Sequence, residues 1–452
     1  MNSEWKLVKL KDYTDKIASG ATPRGGSNVY FDIGNYCLIR SQNIYNKGFE
    51  ASGLVYIDDE AAKKLKNVDI YKKDILLNIT GDSVARVCIT PEDYLPARVN
   101  QHVAVIRLKH DEFDYRFVRY FLTSNKMQSY MLSLASSGGT RNALTKGMIE
   151  NFLIPKPALS IQKKIAHILS TLDDKIELNK KINQTLESIA QTIFKSWFVD
   201  FDPVHAKANA QSEDEYDAIA NELGISRVIL DLFPSEFEES ELGSIPKGWK
   251  VTTISSLSEI QAGYAFKSKW WQNHGVKVVK IKNITGNGDI NLNDCQCISH
   301  EIANSLKNFE LSKGDYLIAM TGATVGKIGV FCSSKENALL NQRVGRFKPK
   351  KDLDEFVKTL VSRDNFYSYI QGQAGGSAQP NISSNEIGAF KTIKPTDAIV
   401  KIFSCILKPN FEMVISNLIE ISALTSIKEA LLPRLLSGQI DVSKLTLEPE
   451  HD

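Results

Sequence analysis

Two glycine pairs set among amide, hydroxyl and basic side chains mark where this chain is equipped for hydrogen-bonding chemistry. One is Ser136-Ser-Gly138-Gly139-Thr140-Arg141-Asn142, and the other is Gly375-Gly376-Ser377-Ala-Gln379-Pro-Asn381. Arg, Asn and Gln are the side chains that pair bidentately with the edges of bases. Small residues let a backbone approach a phosphate closely, and hydroxyls with a nearby Arg or Lys complete such a contact. A second pair of stretches has the same character. Thr80-Gly81-Asp-Ser83-Val-Ala-Arg86 and Thr321-Gly322-Ala-Thr324-Val-Gly-Lys327 each follow a short apolar run. Further amide and basic groups stand at Arg40, Gln42 and Asn43, at Asn100-Gln101, at Lys280, Lys282 and Asn283, and at Asn341-Gln342. Singly, each has a plain structural reading, since Thr-Gly and Gly-Gly make turns and Asn and Gln close them. As a set occurring twice they point to nucleic-acid contact. Trp270-Trp271, beside Lys267 and Lys269, would stack on or wedge into DNA; a partner contact or a local core serves the pair equally well.

Catalytic chemistry is not legible. Gly322-Ala-Thr-Val-Gly326-Lys327-Ile328 has three residues between its glycines and Ile after the Lys, where a phosphate loop needs four and a Ser or Thr. No Gly-x-Gly-x-x-Gly follows a strand, and no Asn-Pro-Pro-aromatic or His-Glu-x-x-His motif occurs. The cysteines, Cys37, Cys88, Cys295, Cys297, Cys332 and Cys405, form no Cys-x-x-Cys pair, which argues for reduced thiols and against a zinc site. Asp173-Asp174 lies within a helical pattern and is expected to face solvent. No catalytic, cofactor or metal residue is assigned.

The polar stretches need scaffolds, and a long-period repeat supplies two. Asp74 and Asp315, Gly81 and Gly322, and Gln101 and Gln342 each lie 241 residues apart, and Phe152 and Phe390 lie 238 apart. Each copy mixes β-rich runs (36–40, 75–79 and 102–108; 276–281, 316–320 and 343–347) with helical segments such as 117–134. Each leads into a long amphipathic run. From Ala158 to Phe198 apolar residues recur at steps of three and four, without Gly or Pro. A second stripe runs from Phe411 to Leu436; Pro409 is expected to break it and Pro433 to kink it. One stripe cannot bury itself, so each helix needs the other. The expected fold is α/β (α+β): two similar globular domains, each followed by a long helix, with the helices packed as an antiparallel coiled-coil rod of pseudo-two-fold symmetry. The boundaries read 1–157, first domain; 158–208, central helical region; 209–243, acidic linker; 244–396, second domain; 397–452, C-terminal helical region.

Charge and length agree. At 452 residues the chain holds two or more domains, and its 42% hydrophobic and 24% charged residues are ordinary. Net charge is only +2, but ten carboxylates between Gln211 and Gly243 face one Arg227, so the remainder is basic. The N-terminus has no apolar core of a secretory signal and no run spans a membrane, so a cytoplasmic location is expected.

Three further runs carry a family resemblance: Trp-Phe-Val-Asp-Phe-Asp-Pro-Val-His-Ala-Lys (Trp197 to Lys207), Leu-Phe-Pro-Ser-Glu-Phe-Glu-Glu-Ser-Glu-Leu-Gly-Ser-Ile-Pro-Lys-Gly-Trp (Leu232 to Trp249) and Leu-Leu-Pro-Arg-Leu-Leu-Ser-Gly-Gln-Ile (Leu431 to Ile440). With the repeat, they make the chain resemble the specificity subunits of type I restriction-modification systems. The resemblance implies two target recognition domains, each reading one half of a bipartite double-stranded DNA sequence, with the helices setting the gap. It also implies docking of two methylation subunits, which carry S-adenosylmethionine, and of restriction subunits, which use ATP and magnesium. The chain itself would need no cofactor and perform no catalysis. Ile193, Phe194, Trp197 and Phe198 are then expected to touch a methylation subunit, unless the rod buries them. A single-chain DNA methyltransferase is opposed by the missing motifs, and a coiled-coil scaffold without a DNA role by the repeated polar loops.

Overall fold

The computed structural model describes residues 5–137, 142–286, 288–333, 337–375 and 380–446. The chain divides into two compact units, residues 1–175 with 424–452, and residues 176–423.

In the first unit, strands Thr14–Ser19, Val103–Leu108, Ile75–Asn78 and Val87–Ile89 pair antiparallel in that order. A second sheet has the order Val55–Ile57, Tyr36–Ile39, Ala97–Val99, Asp69–Ile70, with a parallel pair at its centre. Both faces of Ile75–Asn78 are buried, as its unbroken apolar run requires. The chain leaves Ala97–Val99 and enters Val103–Leu108 through a corner at Asn100-Gln101-His102, so this corner switches sheets. The run read as one helix over 117–134 is two, Tyr115–Leu122 and Asn125–Ser136, because the Ser124 hydroxyl accepts from the Met127 amide and starts a new helix.

The second unit repeats the plan. Ser258–Ala262, Val344–Pro349, Tyr316–Ala319 and Ile328–Val330 form an antiparallel sheet. Gln296–Ile298, Val276–Val279 and Ala338–Leu340 form the other, again with a parallel pair. Here the switching corner is Asn341-Gln342-Arg343.

Two helices of 40 residues each, Leu159–Phe198 and Asp397–Leu436, run through both units. Each is about 60 Å long at 1.5 Å per residue. In the second unit Asn179 donates to Glu420 (2.8 Å) and Asn417 to Asn183 (2.8 Å); the numbers rise on one helix as they fall on the other, which is antiparallel packing. In the first unit Asp173 pairs with Lys428, and Ile165 and Leu169 share a core with Leu435 and Leu436.

Pro409 does not break the second helix, contrary to expectation. Its ring costs the hydrogen bond to the carbonyl of Cys405, and both residues face solvent, where water satisfies that carbonyl. The opposite side (Ile399, Val400, Phe403, Leu407) is buried and holds the helix together. Asp173 does not face solvent either. It accepts from Tyr120 (2.8 Å) and Arg119 (3.2 Å) as well as Lys428.

The acidic stretch is built rather than extended. Helices Glu213–Glu222 and Arg227–Asp231 are joined by Arg227, which pairs with Glu213 and Asp217, and by the Tyr216 hydroxyl, which donates to Asp231 (2.8 Å). Leu230 and Phe233 are buried. Among the described residues no helix is long and apolar enough to cross a membrane.

Candidate nucleic-acid interface

In each unit the sheet strands bring separate polar stretches to one end. In the first, Ile75–Asn78 delivers Thr80-Gly81, and the amide of Ile79 donates to the carbonyl of His102 (2.9 Å), which sets the Asn100-Gln101 corner beside it. The Gly81 amide donates to the Asn142 carbonyl (3.2 Å), and Thr80 bridges Ala143. The side-chain nitrogen of Asn78 donates to the Ser41 carbonyl (2.8 Å), which adds the stretch 40–43. Four stretches spread over a hundred residues therefore meet. The second unit makes the same junction: Met320 donates to the Arg343 carbonyl (2.9 Å), Gly322 to the Pro380 carbonyl (2.8 Å), and Asn341 to the Val279 carbonyl (3.1 Å).

Two glycines make the corner possible. A Cβ on Gly20 would sit 2.1 Å from the Val99 carbonyl oxygen, and one on Gly263 would sit 2.3 Å from that of Leu340. Gly81 and Gly322 turn with φ of 73° and 76°, a conformation that glycine adopts freely.

Not every residue brought here is free to read a ligand. Asn43 and Asn283 are fully buried. The side-chain oxygen of Asn43 accepts from the Arg40 amide, and its nitrogen donates to the carbonyls of Glu50 and Ser52. Asn283 does the same with Lys280, Asn291 and Asp294. Asn100 and Asn341 are buried braces that accept from the amides of His102 and Arg343. These four assignments are corrected: the amides close turns, because a buried amide must spend its bonds internally.

Others present a surface. Gln42, Gly81, Gln101, Lys282, Gln342, Asn142 and Asn381 are exposed, and Arg40, Thr80, Ser83, Arg86, Lys280, Thr321, Gly322, Thr324 and Lys327 are half-buried. The Arg40 guanidinium and the Gln42 amide both donate to the Gly53 carbonyl (2.5 and 3.2 Å). Arg86 lies 4.6 Å from the Tyr45 ring, and Lys280 3.6 Å from that of Trp271. Burial, with Lys282 nearby, lowers the Lys280 ammonium below its ordinary value. Lys282 pairs with Asp294 (2.9 Å). Gly375 follows the end of helix Asp364–Ala374. Gly138, Gly139, Thr140, Arg141, Gly376, Ser377 and Gln379 lie outside the described residues.

Trp270 stacks on Tyr264 and Trp271 packs against Phe266; both lean on Val276, Val278 and Ile298, so the pair helps to build a local core. Phe194, Trp197 and Phe198 are buried against Phe233, Phe356 and Phe403, and Ile193 packs against the same cluster. Their aromatic faces are spent inside the second unit, which corrects the expectation of a partner contact there. His102 and Arg343 were not among the residues expected from sequence. They stand at the corner of each repeat at the spacing of 241 shared by their neighbours, which was the signal available.

A family model described as the type I restriction modification DNA specificity domain matches residues 2–188 and again 246–414. The specificity subunit of the type I restriction enzyme HindI of Haemophilus influenzae is 28% identical over 97% of this chain and all of its own length. That of MjaIX of Methanocaldococcus jannaschii is 24% identical over 98% of this chain and 95% of its own. The fold resembles the crystal structure of a type I restriction-modification S subunit from M. genitalium, with a TM-score of 0.58 at 14% identity over 96% of this chain and 97% of that one. A duplicated fold whose polar loops gather twice at the same corner thus coincides with a family match over both copies, and the chain belongs to the type I restriction-modification DNA specificity family, as a specificity subunit.

Proposed function

We propose that this chain reads a bipartite double-stranded DNA target, one block with each unit's loop junction, and performs no chemistry itself. Two methylation subunits bring S-adenosylmethionine to the complex, and restriction subunits bring ATP and magnesium. The observation that carries the reading is the convergence, in each unit, of the Thr-Gly loop, the sheet-switching corner and the end of the Gly-Gly loop on one edge. That edge holds exposed amides (Gln101; Gln342) and half-buried cations (Arg86; Lys327) of the kind that bind base edges and phosphates. The cations give backbone affinity that falls with salt, and the amides give sequence preference.

The test is to sequence methylated adenines in DNA from a host that expresses this chain with its methylation partner. The expected result is two short defined blocks around a fixed gap. A single unsplit motif would remove the two-reader reading, and no motif with an active partner would remove DNA reading altogether.

A further inference from the structure

The two loop junctions are built alike but finished differently at one position. In the first unit the Thr80 hydroxyl lies 2.6 Å from Nδ1 of His102, and the Gln101 side-chain nitrogen lies 3.4 Å from Nε2 of the same ring. Thr80 and His102 therefore satisfy each other within the domain. In the second unit Arg343 stands in the place of His102 and Thr321 in that of Thr80. The matching backbone bonds, Ile79 to His102 and Met320 to Arg343, are both 2.9 Å, so the scaffold has not moved.

The side chains have parted, however. The Thr321 hydroxyl is buried and has no hydrogen-bond partner among the described residues, and the Thr324 hydroxyl in the same loop is alike. Arg343 is exposed and makes no ion pair or side-chain hydrogen bond among the described residues. A buried hydroxyl without a partner is costly, and native structures seldom keep one unless something supplies the bond. The unpaired guanidinium of Arg343, whose backbone carbonyl is bonded by the amide of Met320 next to Thr321, is a fork of donors in search of a paired acceptor.

We infer that Arg343 reads a guanine in the DNA block recognised by the second unit, with the Thr321 hydroxyl completing the contact, while the Thr80–His102 pair holds the equivalent reading position of the first unit already bonded. The inference rests on the DNA-reading function proposed above and assigns its base contacts. Guanine is the base whose major-groove edge offers two adjacent acceptors, N7 and O6, to an arginine fork. A phosphate would also accept the fork, but it carries no sequence information.

The test uses the complete complex of this chain with its methylation partner and sequences methylated adenines genome-wide. With R343Q, preference for one guanine should fall roughly 5- to 150-fold, the worth of one bidentate pair. Every other position, and the whole of the other block, should be unchanged. R343K keeps the charge and loses the fork, and should relax the same position. H102A should alter only the block that R343Q leaves intact. An unchanged motif in R343Q would overturn the inference. So would a second-unit block without a guanine. Uniform loss of methylation in R343Q with the motif intact and activity restored in R343K would also overturn it, since that is phosphate behaviour. Should the unaltered chain itself give an unsplit motif, the two-reader proposal fails as well, and should it give none with an active partner, DNA reading fails; a split motif indifferent to residue 343 sinks only the guanine assignment.

Discussion

Asp173 on the first long helix is ion-paired with Lys428 on the second, and the same carboxylate accepts from Arg119 and Tyr120. One acidic side chain thus ties two segments separated by more than 250 residues to the first unit's helix Tyr115–Leu122. Burial alone would raise the Asp173 carboxyl. Lys428, Tyr120 and Arg119 more than offset that, and its affinity for a proton falls below the ordinary value. A depressed carboxyl stabilises the folded state fully above its unfolded value of 3.8, and the contribution disappears as pH falls through the lower folded value. Asp173→Asn should cost about 2 to 3 kcal/mol at neutral pH, the scale of hydrogen bonds to a charged group. Denaturant melts at pH 7 and pH 3 check this, since the difference between variant and parent should shrink at the lower pH.

Gly20→Ala and Gly263→Ala should each damage one junction and spare the other. The new methyl group would meet backbone oxygens, which cannot swing away as a side chain tip can. Overpacking of this kind costs about 1 to 3 kcal/mol, and more where backbone must move. Hydrogen exchange should show faster amides at 99–103 in the first variant and at 340–344 in the second. Unchanged protection at both corners would contradict the close approach.

Asn43 and Gln42 are neighbours with opposite duties. Asn43→Ala should cost about 1 to 3 kcal/mol, because it leaves the Arg40 amide and the carbonyls of Glu50 and Ser52 to find new partners. Gln42→Ala, at an exposed position with one 3.2 Å bond to Gly53, should leave stability within about 0.5 kcal/mol. Thermal melts distinguish them. The same contrast is expected for Asn283 against Lys282 in the second unit.

Thiol chemistry should be sparse. Burial pushes the Cys88, Cys295 and Cys332 thiols up to about 12, and raises Cys37 as well. Cys405 lies exposed on the second long helix. Titration of the native protein with an aromatic disulfide at pH 8 should therefore label Cys405 first, with the others reacting only on unfolding. Fast labelling of Cys88 would show that the first unit's sheets open readily.

The duplicated scaffold was legible because a spacing held over many positions leaves a trace that loops of differing sequence cannot erase. The strands over 75–79 and 316–320 were visible for the same reason: both faces are buried, so the residues are apolar without interruption. What the pattern concealed was how a polar side chain spends its bonds. Asn43 and Gln42 are one residue apart and chemically alike, yet one is sealed inside a turn and the other faces outward. Phe194, Trp197 and Phe198 were ambiguous because an apolar stripe looks the same whether a partner or the chain itself covers it. Here Phe233 and Phe356 cover it, and they come from segments that no local pattern connects to the helix. Pro409 misled because the cost of proline depends on which side of a helix it occupies.

The composition of the first unit also bears on how the protein is made. Leu435, Leu436 and Val442 complete a core whose other members lie before residue 170. During synthesis, residues 5–175 leave the ribosome long before those side chains exist. At about 5 to 20 residues per second, the wait lasts roughly 10 to 50 seconds. Through that interval the nascent unit lacks the part of its apolar core that Leu435, Leu436 and Val442 supply. The second unit, contiguous from 176 to 423, faces no such delay and is free to close first.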